Sequence, residues 1–240
     1  MNLILCDTYE EISKAGADII ADVMKKKPDC VLGLATGSTP VGMYKKLIEM
    51  NRAGEISFAR VTSYNLDEYY PIAPTHDQSY RYFMNVNLFD HVDIDKAKTF
   101  VPNGQTTDPV KEGAEYDRAI DAAGGIDVQV LGIGQNGHIG FNEPAEELVM
   151  GTHITSLTDN TIEANARFFA SKADVPTEAF TMGMGSIMKA RKIILLANGA
   201  NKHDAIATLL SDKITTACPA SLLKLHPDVT VICDKAAYEG

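Results

Sequence analysis

The amino-acid sequence predicts an α/β fold: a doubly wound, mostly parallel sheet of the Rossmann-like kind, with helices on both faces. Short apolar runs recur along the whole chain and contain Val, Ile and Leu without alternating polar residues. Such runs are typical of strands that are buried on both faces of a parallel sheet. Segments with helical periodicity separate these runs, which indicates right-handed βαβ crossovers.

The predicted elements alternate along the chain. Strands are predicted at Leu3–Cys6, Cys30–Ala35, Val61–Leu66, Asp127–Ile133, Lys192–Ala197 and Val229–Cys233. Helices are predicted at Tyr9–Lys27, Val41–Met50, Ser79–Phe89, Pro109–Ala123, Thr161–Ala170 and Asn201–Leu210. The first helix illustrates the pattern, because Ile12, Ala15 and Ile19 recur at helical spacing and the lysines at its end suit the negative end of a helix dipole.

One domain spanning residues 1–240 is expected. The sequence contains no internal repeat, low-complexity tract or Ser/Pro-rich linker, and its strongest breakers, Pro71–Pro74 and Pro102–Gly104, each cover only a loop. Ligands of such folds bind at the carboxyl ends of the strands, so the loops that follow the apolar runs are where chemistry is expected.

The composition argues against several classes of partner. With 32 acidic and 22 basic residues the formal net charge is −10, and such a chain would repel the phosphates of nucleic acid or of an anionic membrane surface. No apolar run approaches the ~20 residues that cross a bilayer, and the N-terminus becomes polar too early for a signal peptide. We therefore expect a cytoplasmic protein. The four cysteines form no CxxC pair and are expected to be buried, reduced thiols.

The loop after the second strand has the composition of an anion site. Thr36, Gly37, Ser38 and Thr39 lead into Pro40. Gly37 permits an unusual backbone conformation, Ser38 and Thr39 stand where a helix N-cap is expected, and Pro40 suits the first helical position. Free amides at a helix start, with two hydroxyls, can bind a phosphate. An ordinary capped turn is the alternative, and the pattern is not that of a P-loop.

Two adjacent carboxylates, Asp67 and Glu68, follow the third strand. At the carboxyl end of a strand, one of them can lie over the sheet edge while the other points outward. A carboxylate in a partly desolvated cleft can move a proton on or off carbon. A solvated acidic turn is the alternative interpretation.

The segment Gly132–Pro144 opens with a GxGxxG pattern, which would suggest a dinucleotide site if a helix followed. Glu143 precedes a proline and therefore disfavours a helix, so an NAD-binding interpretation is weak. The glycines instead suggest clearance around His138. A neutral imidazole can accept and return a proton, and Glu143 or Asn136 could fix its tautomer.

Two cations complete the candidate site. Arg167 falls on a predicted helix, and Lys202 falls at the start of another. A lysine at a helix start opposes the helix dipole, and a bound phosphate would explain its presence.

Taken together, five segments resemble the glucosamine-6-phosphate deaminase family. They are ATGSTP, NLDEYY, GIGQNGHIGFNEP, NARFF and GANK, in the family's order and spacing. The related 6-phosphogluconolactonases look similar in their glycine-rich turns but typically continue with a Ser-Leu-Phe-Pro type of sequence after the histidine. In this chain Ile139–Pro144 follows instead.

The resemblance implies a role for each candidate residue. Asp67 would move a proton from C2 to C1 of the opened sugar, His138 would assist ring opening, and Glu143 would orient His138. The 6-phosphate would be held by Thr36, Gly37, Ser38, Thr39, Arg167 and Lys202. The substrate would be glucosamine 6-phosphate, with no metal or cofactor, since its own amine activates the carbon.

Two departures from the family pattern bear on mechanism and regulation. Some members carry Asp where this chain has Asn136, which can orient His138 by hydrogen bonding but adds no charge. The chain ends at Gly240, without the extension that accompanies allosteric activation and hexamer assembly in longer relatives. We therefore expect an unregulated monomer rather than a hexamer. A 6-phosphogluconolactonase and a non-catalytic sugar-phosphate sensor are the alternatives.

Overall fold

The computed structural model describes residues 1–158, 162–163, 169, 171 and 174–240. Its main sheet has seven strands, all paired in parallel, in the order β1-β10-β9-β6-β2-β3-β5. These strands are β1 (Asn2–Cys6), β2 (Val31–Leu34), β3 (Thr62–Asn65), β5 (Thr99–Phe100), β6 (Val128–Leu131), β9 (Lys192–Ala197) and β10 (Val229–Asp234). The predicted doubly wound α/β fold is confirmed, and each predicted strand is present.

Helices connect these strands. They are α1 (Tyr9–Lys26), α2 (Val41–Arg52), α3 (Tyr80–Asn87), α4 (Pro109–Ala122), α5 (Met184–Met188), α6 (His203–Leu210) and α7 (Lys235–Glu239). In α1, Thr8 accepts a hydrogen bond from the amide of Glu11 as N-cap, and Lys25 and Lys26 occupy the last turn, so local signals define both ends. The short helices α5 and α7 were not predicted. The predicted helix Thr161–Ala170 lies mostly outside the described residues.

A second, smaller sheet was not predicted. Its strands β4 (Asp67–Tyr70), β7 (His153–Ser156) and β8 (Glu178–Thr181) pair antiparallel in the order β4-β8-β7. Only Leu66 separates β3 from β4, and its carbonyl accepts a hydrogen bond of 2.7 Å from the amide of Met182. The small sheet is therefore fastened to the carboxyl edge of the main sheet, and Asp67 begins its first strand there.

The core lies between the main sheet and the helices that flank it. Strands β2 and β6 are fully buried, as expected of central strands in a parallel sheet. The four cysteines are buried and free, as predicted. Among the described helices, none combines the length and the apolar character that a membrane span requires.

Candidate active site

A cavity of about 1030 Å³ opens where β2, β6 and β9 end. These three strands are neighbours in the sheet, so the loops that follow them converge. The cavity is lined by all but one of the candidate residues: Thr36, Gly37, Ser38, Thr39, Asp67, Asn136, His138, Glu143 and Lys202. Arg167 lies outside the described residues. The sequence therefore identified the parts of one cavity from segments far apart in the chain.

The loop after β2 differs from its prediction at the helix start. Pro40 is the N-cap residue of α2, and neither Ser38 nor Thr39 caps this helix. The hydroxyl of Tyr9 instead accepts a hydrogen bond of 2.8 Å from the amide of Gly42. Because this helix amide already has an acceptor, an anion in the cavity would rely on the residues before the helix.

Lys202 brings a positive charge to the same cavity. It is the N-cap residue of α6, and burial lowers the pKa of its amine. No carboxylate of the described residues forms an ion pair with it. A partly buried amine at a helix start, without a neighbouring carboxylate in the described structure, is a suitable group to bind phosphate.

Asp67 is only 7% exposed although it lines the cavity. Its Oδ1 atom is buried and has no hydrogen-bond partner among the described residues. Burial, followed by the charge of Glu68, raises the pKa of Asp67 to about 8. A carboxylate with such a pKa can take a proton from carbon and return it near neutral pH.

Glu68 contradicts the expectation that the second carboxylate points outward. It is 2% exposed, and its oxygens accept hydrogen bonds from the amides of Tyr69, Tyr80 and Arg81 at 2.9, 2.8 and 3.0 Å. Burial raises the pKa of Glu68 to about 7, while these amides and the charge of Arg81 act to lower it. Three N–H donors directed at one carboxyl favour its ionised form. The buried carboxyl of Glu68 therefore serves as the hydrogen-bond acceptor for the start of α3.

His138 and Glu143 form a contact, with Nδ1 of the imidazole 3.2 Å from Oε1 of the carboxylate. Asn136 does not bind the ring. Its Nδ2 donates to Oε2 of Glu143 at 2.6 Å, and its Oδ1 accepts from the backbone amide of His138 at 3.2 Å. Asn136 thus acts on the imidazole through Glu143, which corrects the expectation that its amide orients the ring directly.

The predicted clearance around His138 is confirmed at Gly134, and other glycines of the loop lie against other residues. A methyl group on Gly134 would lie 2.3 Å from Cε1 of His138, and one on Gly140 would lie 2.6 Å from Oγ1 of Thr181. Either methyl group would force its neighbour to move. Of the three glycines in the GxGxxG pattern only Gly134 lies against the imidazole, since a methyl group on Gly137 would meet Sγ of Cys218 and one on Gly132 would meet no atom within 4 Å. No helix follows the pattern, so it is not a dinucleotide fingerprint.

Two residues that the sequence did not single out hold this loop in place. Oγ1 of Thr181 accepts a hydrogen bond of 3.0 Å from the amide of Phe141. The side-chain amide of Asn142 donates to the carbonyls of Ile139 and Met182 at 2.9 and 2.8 Å. Asn142 lies inside a recognised motif, whereas no local signal distinguishes Thr181, which acts across forty residues of sequence.

Aromatic rings form part of the cavity wall. Tyr80 and Phe141 both line the cavity, and their rings are nearly parallel, with 6.2 Å between centroids. Tyr80 also packs on Tyr69 at 4.8 Å. The sequence predicts Tyr80 on a helix but gives no sign of a role for it in the site. Among the described residues no group of three or more His, Cys, Asp and Glu side chains could hold a metal ion.

A known protein family and its named members are similar to this chain over nearly its whole length. Residues 7–232 match the model of the family described as glucosamine-6-phosphate isomerases/6-phosphogluconolactonase. A Clostridium perfringens protein named glucosamine-6-phosphate deaminase is 56% identical over 237 residues, which are 99% of this chain and 98% of that protein. A protein of the same name from Thermoanaerobacter pseudethanolicus is 54% identical, covering 99% of this chain and 94% of its own length.

Solved structures agree with these relatives. A structure described as a monomeric glucosamine-6-phosphate deaminase superposes with a TM-score of 0.94 at 44% identity, covering 99% of this chain and 98% of its own. The 6-phosphogluconolactonase from Trypanosoma cruzi has a TM-score of 0.80 at 21% identity, covering 100% and 96% of the two chains, and shows the same fold. The resemblance predicted from the motifs is confirmed. The chain belongs to the family of glucosamine-6-phosphate isomerases and 6-phosphogluconolactonases.

Proposed function

We propose that this protein is a glucosamine-6-phosphate deaminase, which converts glucosamine 6-phosphate and water into fructose 6-phosphate and ammonia. The observation that carries the proposal is that Asp67, a buried carboxylate, shares one cavity with the His138–Glu143 pair. The reaction needs a base for a carbon-bound proton and a second acid–base for ring opening. Relatives at 52–56% identity bear this name.

The phosphate group of the substrate fixes its position in the proposed complex. We assign this role to Thr36, Gly37, Ser38, Thr39 and Lys202, together with Arg167. The support is that the first five line the cavity and that Lys202 has no ion-pair partner in the described part of the chain. Holding the phosphate orients the sugar carbons toward Asp67 and His138, which makes the later steps intramolecular.

Ring opening is the first chemical step. His138 accepts the proton of the anomeric hydroxyl and returns a proton to the ring oxygen, which yields the open-chain aldehyde. Glu143 lies 3.2 Å from Nδ1 and stabilises the imidazolium formed in between. Asn136 holds Glu143 through a 2.6 Å hydrogen bond.

Asp67 then removes the proton from C2 and delivers it to C1. The electrons of the C2–H bond form the C1=C2 double bond of an enolamine, while the carbonyl electrons move to the C1 oxygen, which takes a proton from the ammonium group of the substrate. Reprotonation of C1 by Asp67 uses the lone pair of the nitrogen and gives a C2 iminium. Water adds to C2, ammonia leaves, and fructose 6-phosphate remains. The C1 aldehyde of the substrate is the electron acceptor in the first of these steps and its amine is the electron donor in the second, so the steps use only groups of the chain, the substrate and water.

The alternatives receive less support. The lactonase structures are 18–21% identical to this chain, so their likeness extends only to the fold. A sugar-phosphate sensor would need the phosphate site but not Asp67 beside His138. We further propose that the protein acts in the cytoplasm as one domain and as a monomer, like the monomeric deaminase of similar structure.

The direct test measures ammonia and fructose 6-phosphate released from glucosamine 6-phosphate by the purified protein, with a chelator present. The expected result is equal release of both products. Asp67→Asn should lose turnover by about a hundredfold or more but still bind substrate, because the amide cannot accept the C2 proton. Hydrolysis of 6-phosphogluconolactone without ammonia release would instead establish the lactonase.

A further inference from the structure

Glu68 occupies a position between two elements of the proposed active site. It follows Asp67 in β4, and successive side chains of a strand point to opposite faces. Its carboxylate accepts hydrogen bonds from the backbone amides of Tyr80 and Arg81 at 2.8 and 3.0 Å. These are the first two residues of α3, whose N–H groups have no partners within the helix. A carboxylate on a strand therefore caps a helix twelve residues further along the chain.

The helix start that Glu68 holds carries Tyr80, whose ring lines the cavity. The strand that carries Glu68 also carries Asp67. One buried carboxylate thus sets the distance between a wall of the cavity and the proposed base. The rings of Tyr69 and Phe141 pack on Tyr80, so a shift of the helix start would disturb this wall as a whole.

We propose that Glu68 is a positioning residue for the deaminase reaction. It ties the start of α3 to β4 and so holds Asp67 and Tyr80 at the relative positions that the reaction requires. This inference rests on the proposed function. Glu68 touches backbone amides of the protein, not the reacting atoms, and acts on the substrate through its neighbours.

Glu68 also acts on Asp67 through its charge. Phenols face Asp67 from three helices, Tyr44 on α2, Tyr80 on α3 and Tyr116 on α4, and burial raises the pKa of each, so they stay neutral. Among the described residues, the other titratable groups that line the cavity with Asp67 are His138, Glu143, Lys202 and Glu163. Glu68 is the charged neighbour whose field raises the pKa of Asp67. Removing its charge should lower that pKa and make Asp67 a weaker base.

The test uses two variants of the full chain. Glu68→Gln retains the shape but loses the charge and presents an NH₂ group to one backbone donor. We expect kcat to fall by about tenfold or more with KM changed by less than about threefold, because the phosphate site is untouched. The acid limb of the pH profile of kcat should move to lower pH. Glu68→Asp keeps the charge but not the reach, so its acid limb should stay near that of the wild type while kcat remains low.

Asp93→Asn is the matched control. Asp93 also accepts a backbone amide, that of Phe58, at 2.7 Å, but it does not line the cavity. This variant should change stability without moving kcat or the acid limb. A folded Glu68→Gln with wild-type kcat and an unmoved acid limb overturns the proposal. If Glu68→Gln does not fold, a Glu68→Asp variant with wild-type kcat overturns it equally.

A readout that needs no turnover separates this inference from the proposed function. The ¹³C resonance of the Asp67 carboxyl, assigned by its loss in Asp67→Asn, should titrate at lower pH in Glu68→Gln than in the wild type. A wild-type protein that releases no ammonia contradicts the proposed function. An unchanged Asp67 titration in Glu68→Gln contradicts the coupling between the two carboxylates, whatever the substrate.

Discussion

Asp67 and Thr181 lie opposite each other in the pairing of β4 with β8. The hydroxyl of Thr181 accepts a hydrogen bond of 3.0 Å from the amide of Phe141, which belongs to the loop Gly132–Pro144 that carries His138, here called the histidine loop. The proposed C2 base and the loop that carries His138 therefore share one support. The small sheet acts as a brace between them, although no residue of β7 or β8 is proposed to touch the substrate.

This arrangement predicts the effect of Thr181→Val. The variant keeps the shape of the side chain but leaves the amide of Phe141 buried without its acceptor, which costs about 1–3 kcal/mol. We expect a drop in kcat of about tenfold, since the loop can shift relative to Asp67. Steady-state kinetics and urea unfolding measure both effects. Thr230→Val, at a buried threonine of β10, is the control, and wild-type kcat in Thr181→Val would mean that the loop is held by other contacts.

The burial of Asp67, which the proposed activity uses, is expected to lower the free energy of unfolding as the pH rises. Burial and the charge of Glu68 raise its pKa from 3.8 to about 8. Because the folded pKa lies above the unfolded one, the folded protein binds this proton more tightly, and stability falls as the pH rises between these two values. Asp67→Asn removes the buried charge and should be more stable than the wild type at pH 8, by on the order of a few kcal/mol.

Urea unfolding of the two proteins over a pH series checks this prediction. The difference should shrink as the pH falls toward 3.8, because below that value Asp67 is protonated in both the folded and the unfolded state. Asp127→Asn provides a contrast, because Asp127 binds Lys27 at 2.8 Å and the amide of Val31 at 2.7 Å, and its loss should destabilise at neutral pH. An Asp67→Asn variant that is less stable than the wild type at pH 8 would show that the ionised form is well accommodated.

Lys202→Gln should separate binding from chemistry. Loss of the amine removes a charge that faces the phosphate in both the ground state and the transition state, so KM should rise by about 10–100-fold while kcat changes little. Lys189→Gln removes an exposed lysine that pairs with Asp121 and should leave both constants near wild type. A fall in kcat at unchanged KM would place Lys202 in the chemical steps instead.

Gly134→Ala tests the space that the imidazole requires. The added methyl group would lie 2.3 Å from Cε1 of His138, so the ring must move and turnover should drop by about tenfold or more. A methyl group on Gly132 meets no atom within 4 Å but Gly132 lines the cavity, so the control is Lys189→Gln, whose side chain pairs with Asp121 outside the cavity lining. Equal activity of the two variants would show that the ring position is not critical.

The sequence predicts six of the seven strands of the main sheet and misses the two-residue strand β5. Apolar central strands such as β2, which are buried on both faces, can be predicted without knowledge of distant partners. The sequence does not predict β4, whose letters Asp-Glu-Tyr-Tyr carry no apolar run and whose partner β8 begins over a hundred residues later. The motifs locate Asp67, His138, Glu143 and Lys202, since each follows a predicted strand.

The sequence does not predict the residues that hold the site in place, Glu68 and Thr181. Glu68 looks like a surface carboxylate in the sequence, and only the fold brings the free amides of α3 to it. Nothing in the local sequence distinguishes Thr181 from other strand threonines, and its role comes only from its hydrogen bond with the amide of Phe141 in the histidine loop. Such roles depend on long-range packing, which a single sequence does not reveal.

The loops of β2 and β9 meet across β6, where Thr39 donates to Asn198, 159 residues further along the chain, at 3.3 Å. An anion bound between Thr39 and Lys202 would link the early and late parts of the sheet and so resist the separation that melting requires. Inorganic phosphate should therefore compete with the substrate and raise the melting temperature, with a stabilisation that grows as the logarithm of one plus its concentration over its dissociation constant. In a phosphate buffer the melting temperature of this protein would be raised and its turnover of substrate inhibited. A zwitterionic buffer therefore suits its characterisation better.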